Sequence, residues 1–111
     1  MRLKRMALLV MALLAALVPL APRPAAAGMK VVTQREKHFE PDAVALAVGD
    51  TLRILNEDDY LHHVYVQHPD FTFDSGGRKP GETVDLQFPK AGVYEVLCEI
   101  HPKMKLIVTV K

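Results

Sequence analysis

The chain has 111 residues, enough for one small domain, and its formal net charge is only +1. Beyond its first residues it has no basic run and no alternation of basic and aromatic residues, which argues against nucleic-acid binding. It contains a single cysteine, so no intramolecular disulfide can form.

The N-terminal segment has the layout of a secretory signal peptide. A basic start, "MRLKR", precedes an apolar run over residues 6–20 and three small residues, Ala25 to Ala27. The run is short compared with the roughly 20 residues that span a bilayer as a helix, although an uncleaved anchor stays an alternative. We therefore predict a cleaved signal peptide over residues 1–27 and a periplasmic or secreted domain over residues 28–111. Removing this segment removes four basic residues and leaves an excess of acidic ones.

Short runs of alternating apolar residues, broken by turn residues, follow along the rest of the chain. No segment shows helical periodicity over three turns, so the pattern predicts an all-β domain. We expect a Greek-key β-sandwich of seven to eight strands. The predicted strand segments are 29–39 (one strand or two), 43–48, 51–56, 62–67, 71–73, 83–88, 92–98 and 105–110.

The alternation of side chains along two strands predicts which polar groups point into the sandwich. His62 alternates in step with two valines, whereas His63 falls on the opposite, more polar face. In "GVYEVLC", Cys98 alternates in step with apolar residues and the glutamates take the other face. Cys98 and His62 are therefore expected to face inward, with His63 as the alternative inward histidine.

Three further polar groups have ordinary interpretations at this level. His38 and His68 are expected at the surface. The acidic run over residues 57–59, "EDD", is expected to form a solvated loop. The segment 74–82, "DSGGRKPGE", is rich in turn residues and is expected to be a loop between strands.

The segment "LCEIHPKMKLIVTV" carries the chemistry of the chain. His101 follows Cys98 by three residues and Met104 follows His101 by three, in a tight loop between two predicted strands. A thiolate, two imidazoles and a weak thioether form the ligand set of a mononuclear copper electron-transfer site. Adding His62 from a separate loop completes that set. A bound metal would also protect a lone thiol in an oxidising compartment.

Simpler interpretations stay open for each of these residues. A lone buried cysteine is often only a small core residue, and a methionine such as Met104 is often core filler. His101 before a proline could be an ordinary turn residue. Cys98 and His101 could also form a nucleophile–base pair of an enzyme, but no orienting acid or oxyanion feature accompanies them. A thioether is a poor zinc ligand, which argues against a zinc site.

Over nearly all of residues 28–111 the chain resembles the cupredoxins, the small blue-copper family of plastocyanin, pseudoazurin and amicyanin. "NEDDYLHHV" is similar to the family loop that carries the first ligand histidine, and "PGETVDLQFPKAGVYEVLCEIHPKM" to its later hairpin and ligand loop. The spacing C-x-x-H-P-x-M is most similar to amicyanin. The resemblance implies one copper ion held by His62, Cys98, His101 and Met104.

Two positions depart from the family pattern. The family usually has asparagine just after its first ligand histidine, where it tethers the two ligand loops by hydrogen bonds; His63 stands there in this chain. Amicyanin-like loops tend to carry glycine soon after the methionine, where this chain has Lys105.

The function predicted from these features is single-electron transfer by Cu(I)/Cu(II) cycling, without substrate chemistry. The resemblance implies a monomer that docks transiently near His101 on a cytochrome, a dehydrogenase or an oxidase. A second hypothesis uses the same ligands in a periplasmic copper carrier or an accessory to copper-enzyme assembly. Neither hypothesis makes the protein an enzyme, and neither involves a membrane span after signal cleavage.

Overall fold

The structure is a computed structural model, and it describes residues 16, 17, 19 and 27–111. The predicted signal peptide, residues 1–27, lies outside the described residues except at positions 16, 17, 19 and 27, so it stays a prediction. None of the described residues belongs to a helix long and apolar enough to cross a membrane.

The described chain folds into nine β-strands. Their alternating burial matches the period-2 patterns of the sequence. The strands are β1 (Met29–Arg35), β2 (His38–Glu40), β3 (Ala43–Leu46), β4 (Thr51–Asn56), β5 (Tyr65–His68), β6 (Phe71–Asp74), β7 (Thr83–Leu86), β8 (Gly92–Leu97) and β9 (Lys105–Val110).

The strands form two mixed sheets that pack as a β-sandwich. One sheet has the order β2-β1-β4-β7 and the other the order β3-β9-β8-β5-β6. β1 pairs in parallel with β4, and β3 in parallel with β9, while the other pairings are antiparallel. The predicted all-β sandwich is confirmed.

The structure has nine strands rather than the predicted seven to eight. One cause is a turn between β1 and β2 that has no clear sequence signal. β1 and β2 are joined through Glu36 and Lys37, which both adopt left-handed backbone angles (φ 52° and 60°). Such turns normally carry glycine or asparagine. Because neither residue type is present here, the sequence leaves open whether residues 29–39 form one strand or two.

The core between the sheets confirms the predicted facing of the strands. Tyr94, Val96 and Cys98 are fully buried on one face of the segment 92–98, and Glu95 is exposed on the other. The other most deeply buried hydrophobic side chains are Val32, Leu52, Ile54, Val64, Val66, Leu86, Leu106 and Val108.

The strand ends determine where the polar candidates lie. β5 begins at Tyr65, three residues later than predicted, so His62 lies in the preceding loop and makes only an isolated β-bridge with Arg78. β8 ends at Leu97, which puts Cys98 at the first position of the loop to β9. One end of the sandwich therefore gathers the loops before β5 and between β8 and β9.

Candidate metal centre

Three of the sequence-predicted ligands meet at this end of the sandwich. Nδ1 of His62 lies 3.6 Å from Sγ of Cys98 and 3.2 Å from Nδ1 of His101. The third side of the triangle, from Sγ of Cys98 to Nδ1 of His101, is 3.9 Å. The structure groups these three residues, and among the described residues no other such group could hold a metal ion.

The size of this triangle suits a single metal ion. A point about 2.1 Å from all three atoms lies inside it, and imidazole nitrogens and thiolate sulfurs bind zinc at roughly 2.0–2.3 Å. Two imidazoles and one thiolate in a trigonal arrangement are the strong ligands of blue-copper sites. Cys98 is a free thiol, so its sulfur is available.

A carboxylate orients the first histidine. Oδ2 of Asp58 lies 2.6 Å from Nε2 of the fully buried His62. Burial raises the pKa of Asp58, but hydrogen bonds from His62 and from two backbone amides outweigh it and leave that pKa below its ordinary value. Asp58 is therefore ionised at neutral pH and accepts a hydrogen bond from Nε2–H, so the lone pair of Nδ1 points towards Cys98 and His101.

The second histidine is in its neutral form near neutral pH. Burial lowers the pKa of His101 below its ordinary value, and the neighbouring charge of Lys37 acts in the same direction. A neutral imidazole has a free lone pair on one ring nitrogen, which is the form that binds a metal. His101 is partly exposed, unlike His62.

His63 joins the two ligand loops, although it replaces the asparagine expected there. Its backbone amide donates a hydrogen bond to Sγ of Cys98 at 3.3 Å. Its side-chain Nδ1 lies 3.3 Å from a carboxylate oxygen of Glu99 in the other ligand loop. Nδ1 makes no hydrogen bond to any described residue, so the backbone amide of His63, and not its imidazole, connects the two ligand loops.

Met104 lies at the end of the ligand loop and is 2% exposed. Its backbone amide donates to the carbonyl of His101 at 2.9 Å, which closes the loop into a turn. Its side chain belongs to the buried hydrophobic cluster of the core. Met104 as a ligand stays a prediction.

An aromatic side chain that the sequence analysis missed packs against the two histidines. The ring of Tyr60 lies 5.2 Å from that of His62 and 5.5 Å from that of His101, measured between centroids. Nζ of Lys37 lies over the Tyr60 ring, 5.9 Å from its centroid. Such a position over a ring face is favourable for a cation.

Asp58 corrects the expectation that residues 57–59 form a solvated loop. It is 9% exposed, and its carboxylate also accepts hydrogen bonds from the backbone amides of Glu36 and Lys37, at 2.6 and 3.3 Å. It therefore attaches the β1–β2 turn to the loop of His62. The only sequence signal for this role was an acidic residue four positions before His62. The carboxylate is buried because its hydrogen bonds replace those that it would make with water.

A network of buried polar side chains makes hydrogen bonds to the backbone of the loop before β5. Nδ2 of Asn56 donates to the carbonyls of Tyr60 (2.8 Å) and Arg78 (3.0 Å), and its Oδ1 accepts from the amide of Asp58. Nε2 of Gln34 donates to the carbonyl of His63 at 3.2 Å. Buried polar groups with satisfied hydrogen bonds fix a single backbone arrangement.

The remaining histidines take the positions expected for surface residues. His38 is exposed in β2 and His68 is partly exposed at the end of β5. The structure thus brings together His62, Cys98 and His101, as predicted from strand alternation and loop spacing.

Comparisons with known proteins agree with this geometry. The family model "Cupredoxin-like domain" matches residues 5–110. The methylamine utilization protein MauL of Methylophilus methylotrophus is 36% identical over 74 residues, which are 64% of this chain and 42% of that protein. The chain thus spans about two fifths of that relative's length.

Solved structures show the same fold. An amicyanin variant in its Cu(I) form is 27% identical and superimposes with a TM-score of 0.70, over 78% of this chain and 85% of amicyanin. The copper-containing nitrite reductase of Thermus scotoductus SA-01 is 30% identical with a TM-score of 0.66, over 73% of this chain but only 22% of the reductase.

These findings confirm the predicted resemblance, including the similarity to amicyanin. Cupredoxins bind one copper ion, and the triangle of His62, Cys98 and His101 provides a suitable ligand site. The match extends over nearly the whole chain and is supported by sequence, fold and site geometry. The chain belongs to the cupredoxin-like domain family.

Proposed function

We propose that this protein is a type 1 copper protein that carries single electrons between redox partners. The observation that supports it best is the triangle of Nδ1, Sγ and Nδ1 atoms, with sides of 3.2, 3.6 and 3.9 Å, in a domain of the cupredoxin family. Copper bound there would supply one-electron chemistry by alternating between Cu(I) and Cu(II). The proposed ligands are His62, Cys98 and His101, with Met104 as the weak axial ligand.

The protein's contribution is to fix the positions of these ligand side chains. His62 is fixed by Asp58 and Cys98 accepts a hydrogen bond from the His63 amide. Ligands held from two loops of one rigid sandwich resist rearrangement between oxidation states, which favours fast electron transfer. Thiolate and thioether ligands select copper over harder cations, and a thioether argues against zinc.

The exposed surface around His101 is the proposed docking site for the partner. His101 is the ligand with solvent access, and the side chains of Tyr60, Leu61 and Ile100 beside it are 39%, 48% and 44% exposed. Exposed apolar groups around a redox centre allow a small, short-lived interface. The partner would be a cytochrome, a dehydrogenase or an oxidase.

We further propose that the protein acts as an exported monomer and not as an enzyme. Export rests on the signal peptide predicted over residues 1–27. The carrier role rests on the site itself. Among the described residues, His62, Cys98 and His101 form the one group that could hold a metal ion, and this group is largely buried, which leaves little room for a substrate. The expected location is the periplasm or the medium.

The first test is to add Cu(II) to the metal-free protein and to record visible absorption and EPR spectra. We expect an intense thiolate-to-copper charge-transfer band and a narrow copper hyperfine splitting. Cys98→Ser should abolish the band, because its hydroxyl cannot replace the thiolate. A colourless complex, or an ordinary tetragonal Cu(II) spectrum, would contradict the proposal.

The docking surface is tested by electron self-exchange between oxidised and reduced copies, which needs no identified partner. Ile100→Lys puts a charge beside His101 and should slow self-exchange while leaving the reduction potential nearly unchanged. Val93→Lys is the matched control, because Val93 is an exposed residue (58%) near the opposite end of β8. Equal self-exchange rates for the two variants would exclude this surface as the docking site. Copper loss to an apo acceptor faster than electron transfer would favour the copper-carrier hypothesis.

A further inference from the structure

Arg78 is a buried arginine beside the candidate metal centre. It is 4% exposed, and among residues 27–111 it is the one lysine or arginine that is buried. It lies in the loop 74–82, which the sequence analysis expected to be an ordinary connection. Burying a cation is costly unless an anion or several hydrogen-bond acceptors compensate it.

The groups that hold the Arg78 guanidinium are all neutral. Nη1 donates to the carbonyls of Ile54 (3.1 Å) and Glu82 (3.3 Å), and Nη2 donates to Oε1 of Gln34. Nε has no hydrogen-bond partner. In the part of the chain that the structure describes, no carboxylate forms an ion pair with Arg78. Its positive charge is therefore fixed in place but not neutralised by an acid.

The backbone of Arg78 is attached to a proposed ligand. The Arg78 amide donates to the carbonyl of His62 at 2.8 Å, and the His62 amide donates back at 3.1 Å. Gln34, which accepts from the guanidinium, also donates to the carbonyl of His63. Arg78 is thus adjacent to the loop that carries His62.

The charge of Arg78 interacts with the sulfur of Cys98 when that sulfur is a thiolate, which is the form that binds a metal. Burial lowers the pKa of the Arg78 guanidinium below its ordinary value, and its charge interaction with Cys98 opposes that shift more strongly than the one with Glu82. Charge interactions between buried groups are weakly screened by water. The cation and the metal-binding sulfur therefore act on each other.

We propose that Arg78 is an internal electrostatic tuning residue that raises the reduction potential of the metal centre. This inference rests on the proposed copper-carrier function. When a one-electron donor protein reduces the site, one electron enters and the charge of the centre falls by one, with no bond made or broken in the chain. A fixed cation repels the more positive oxidised centre more than the reduced one, so it favours the reduced state.

The test compares Arg78→Met with Arg78→Lys and with Lys79→Gln. Arg78→Met removes the charge and keeps an apolar stem, Arg78→Lys keeps the charge, and Lys79→Gln removes an exposed charge one residue away. Each copper-loaded variant is first checked for the blue spectrum, and its potential is then measured by redox titration. Binding constants of the metal-free proteins for Cu(I) and for Cu(II) give an independent readout.

We expect Arg78→Met to lower the ratio of Cu(I) to Cu(II) binding constants about tenfold, which corresponds to about 59 mV for one electron. Arg78→Lys should keep most of the wild-type ratio of binding constants, because it keeps the charge. Lys79→Gln should leave the ratio near the wild-type value. If Arg78→Met does not fold, Arg78→Gln, which keeps a donor for the Ile54 carbonyl, replaces it with the same expectation.

The outcomes separate this inference from the function it rests on. A wild-type protein that forms no blue centre overturns the proposed function and the tuning role together. A blue wild-type centre whose potential is the same in the neutral variant overturns the tuning role alone. An equal fall in Arg78→Lys and Arg78→Met would show that Arg78 acts through its hydrogen bonds and not through its charge, and would also overturn the proposal.

Discussion

The carboxylate of Asp58 lies 2.6 Å from Nε2 of His62, on the side of the imidazole opposite the nitrogen that faces Cys98. The same carboxylate accepts hydrogen bonds from the amides of Glu36 and Lys37. One buried acid thus sets the tautomer of a proposed ligand and attaches a neighbouring turn to its loop. Carboxylate–histidine contacts of this kind orient metal ligands and make them more basic.

Replacing Asp58 by asparagine should weaken copper binding by about 10–100-fold, the usual effect of losing such an outer partner. The amide can still accept a hydrogen bond, but it carries no charge to stabilise the proton on Nε2. Asp59→Asn is the matched control, because Asp59 is exposed and adjacent. Competition titration of both variants with a copper chelator measures the effect, and equal affinities would contradict this role.

Asp58 should also make the stability of the metal-free protein depend on acidity. Its pKa is lowered in the folded state, so its stabilising contribution is fully present above its unfolded pKa of about 3.9 and is lost as the pH falls through the folded pKa. The difference in unfolding free energy between wild type and Asp58→Asn should therefore shrink below about pH 4. Urea denaturation between neutral and acidic pH measures it. A difference that stays constant down to pH 2–3 would argue against an ionised, hydrogen-bonded Asp58.

The choice between the adjacent histidines can be tested directly. His62→Ala should abolish the blue centre and weaken copper binding by well over about 100-fold, because it removes a ligand and not an outer partner. His63→Ala should keep the blue spectrum, because its contact to Cys98 comes from the backbone amide. Visible spectra of the two variants decide the assignment, and the reverse pattern would make His63 the ligand.

Met104→Leu should keep copper and the blue colour while raising the reduction potential. A thioether donates electron density that stabilises the oxidised metal, and leucine does not. The two side chains have similar volumes, so the change should cost less than about 1.5 kcal/mol of stability. Redox titration and thermal unfolding measure the two effects. An unchanged spectrum with an unchanged potential would leave Met104 as a core residue only.

The β1–β2 turn offers a stabilising substitution at a residue that is not a proposed metal ligand. Glu36 adopts a left-handed backbone conformation, which asparagine tolerates better than glutamate. Glu36→Asn should raise the unfolding free energy by roughly 0.5–1 kcal/mol. Glu36→Gln removes the same charge without this conformational advantage and serves as the control. Equal stabilities of the two variants in urea denaturation would contradict the strain argument.

The sequence by itself determined most of the candidate metal centre. The order Cys98-x-x-His101-x-x-Met104 places three candidate ligands in one loop, and the alternation of side chains turns Cys98 and His62 inward. These conclusions depend on local spacing and on the period of a strand, which neighbouring residues fix. For the same reason β4 and β9 have the predicted bounds.

Only the tertiary structure decided which polar residues surround that centre. Asp58 and Arg78 lie in loops whose composition predicts exposure, yet both are buried. Their partners, such as Glu36 for Asp58 and Gln34 for Arg78, are far away along the chain. Burial of a loop side chain depends on what packs over it, and that information lies in distant segments. The sequence therefore predicted the candidate ligands, whereas the carboxylate beside one of them and the buried cation near that loop emerged only from the folded chain.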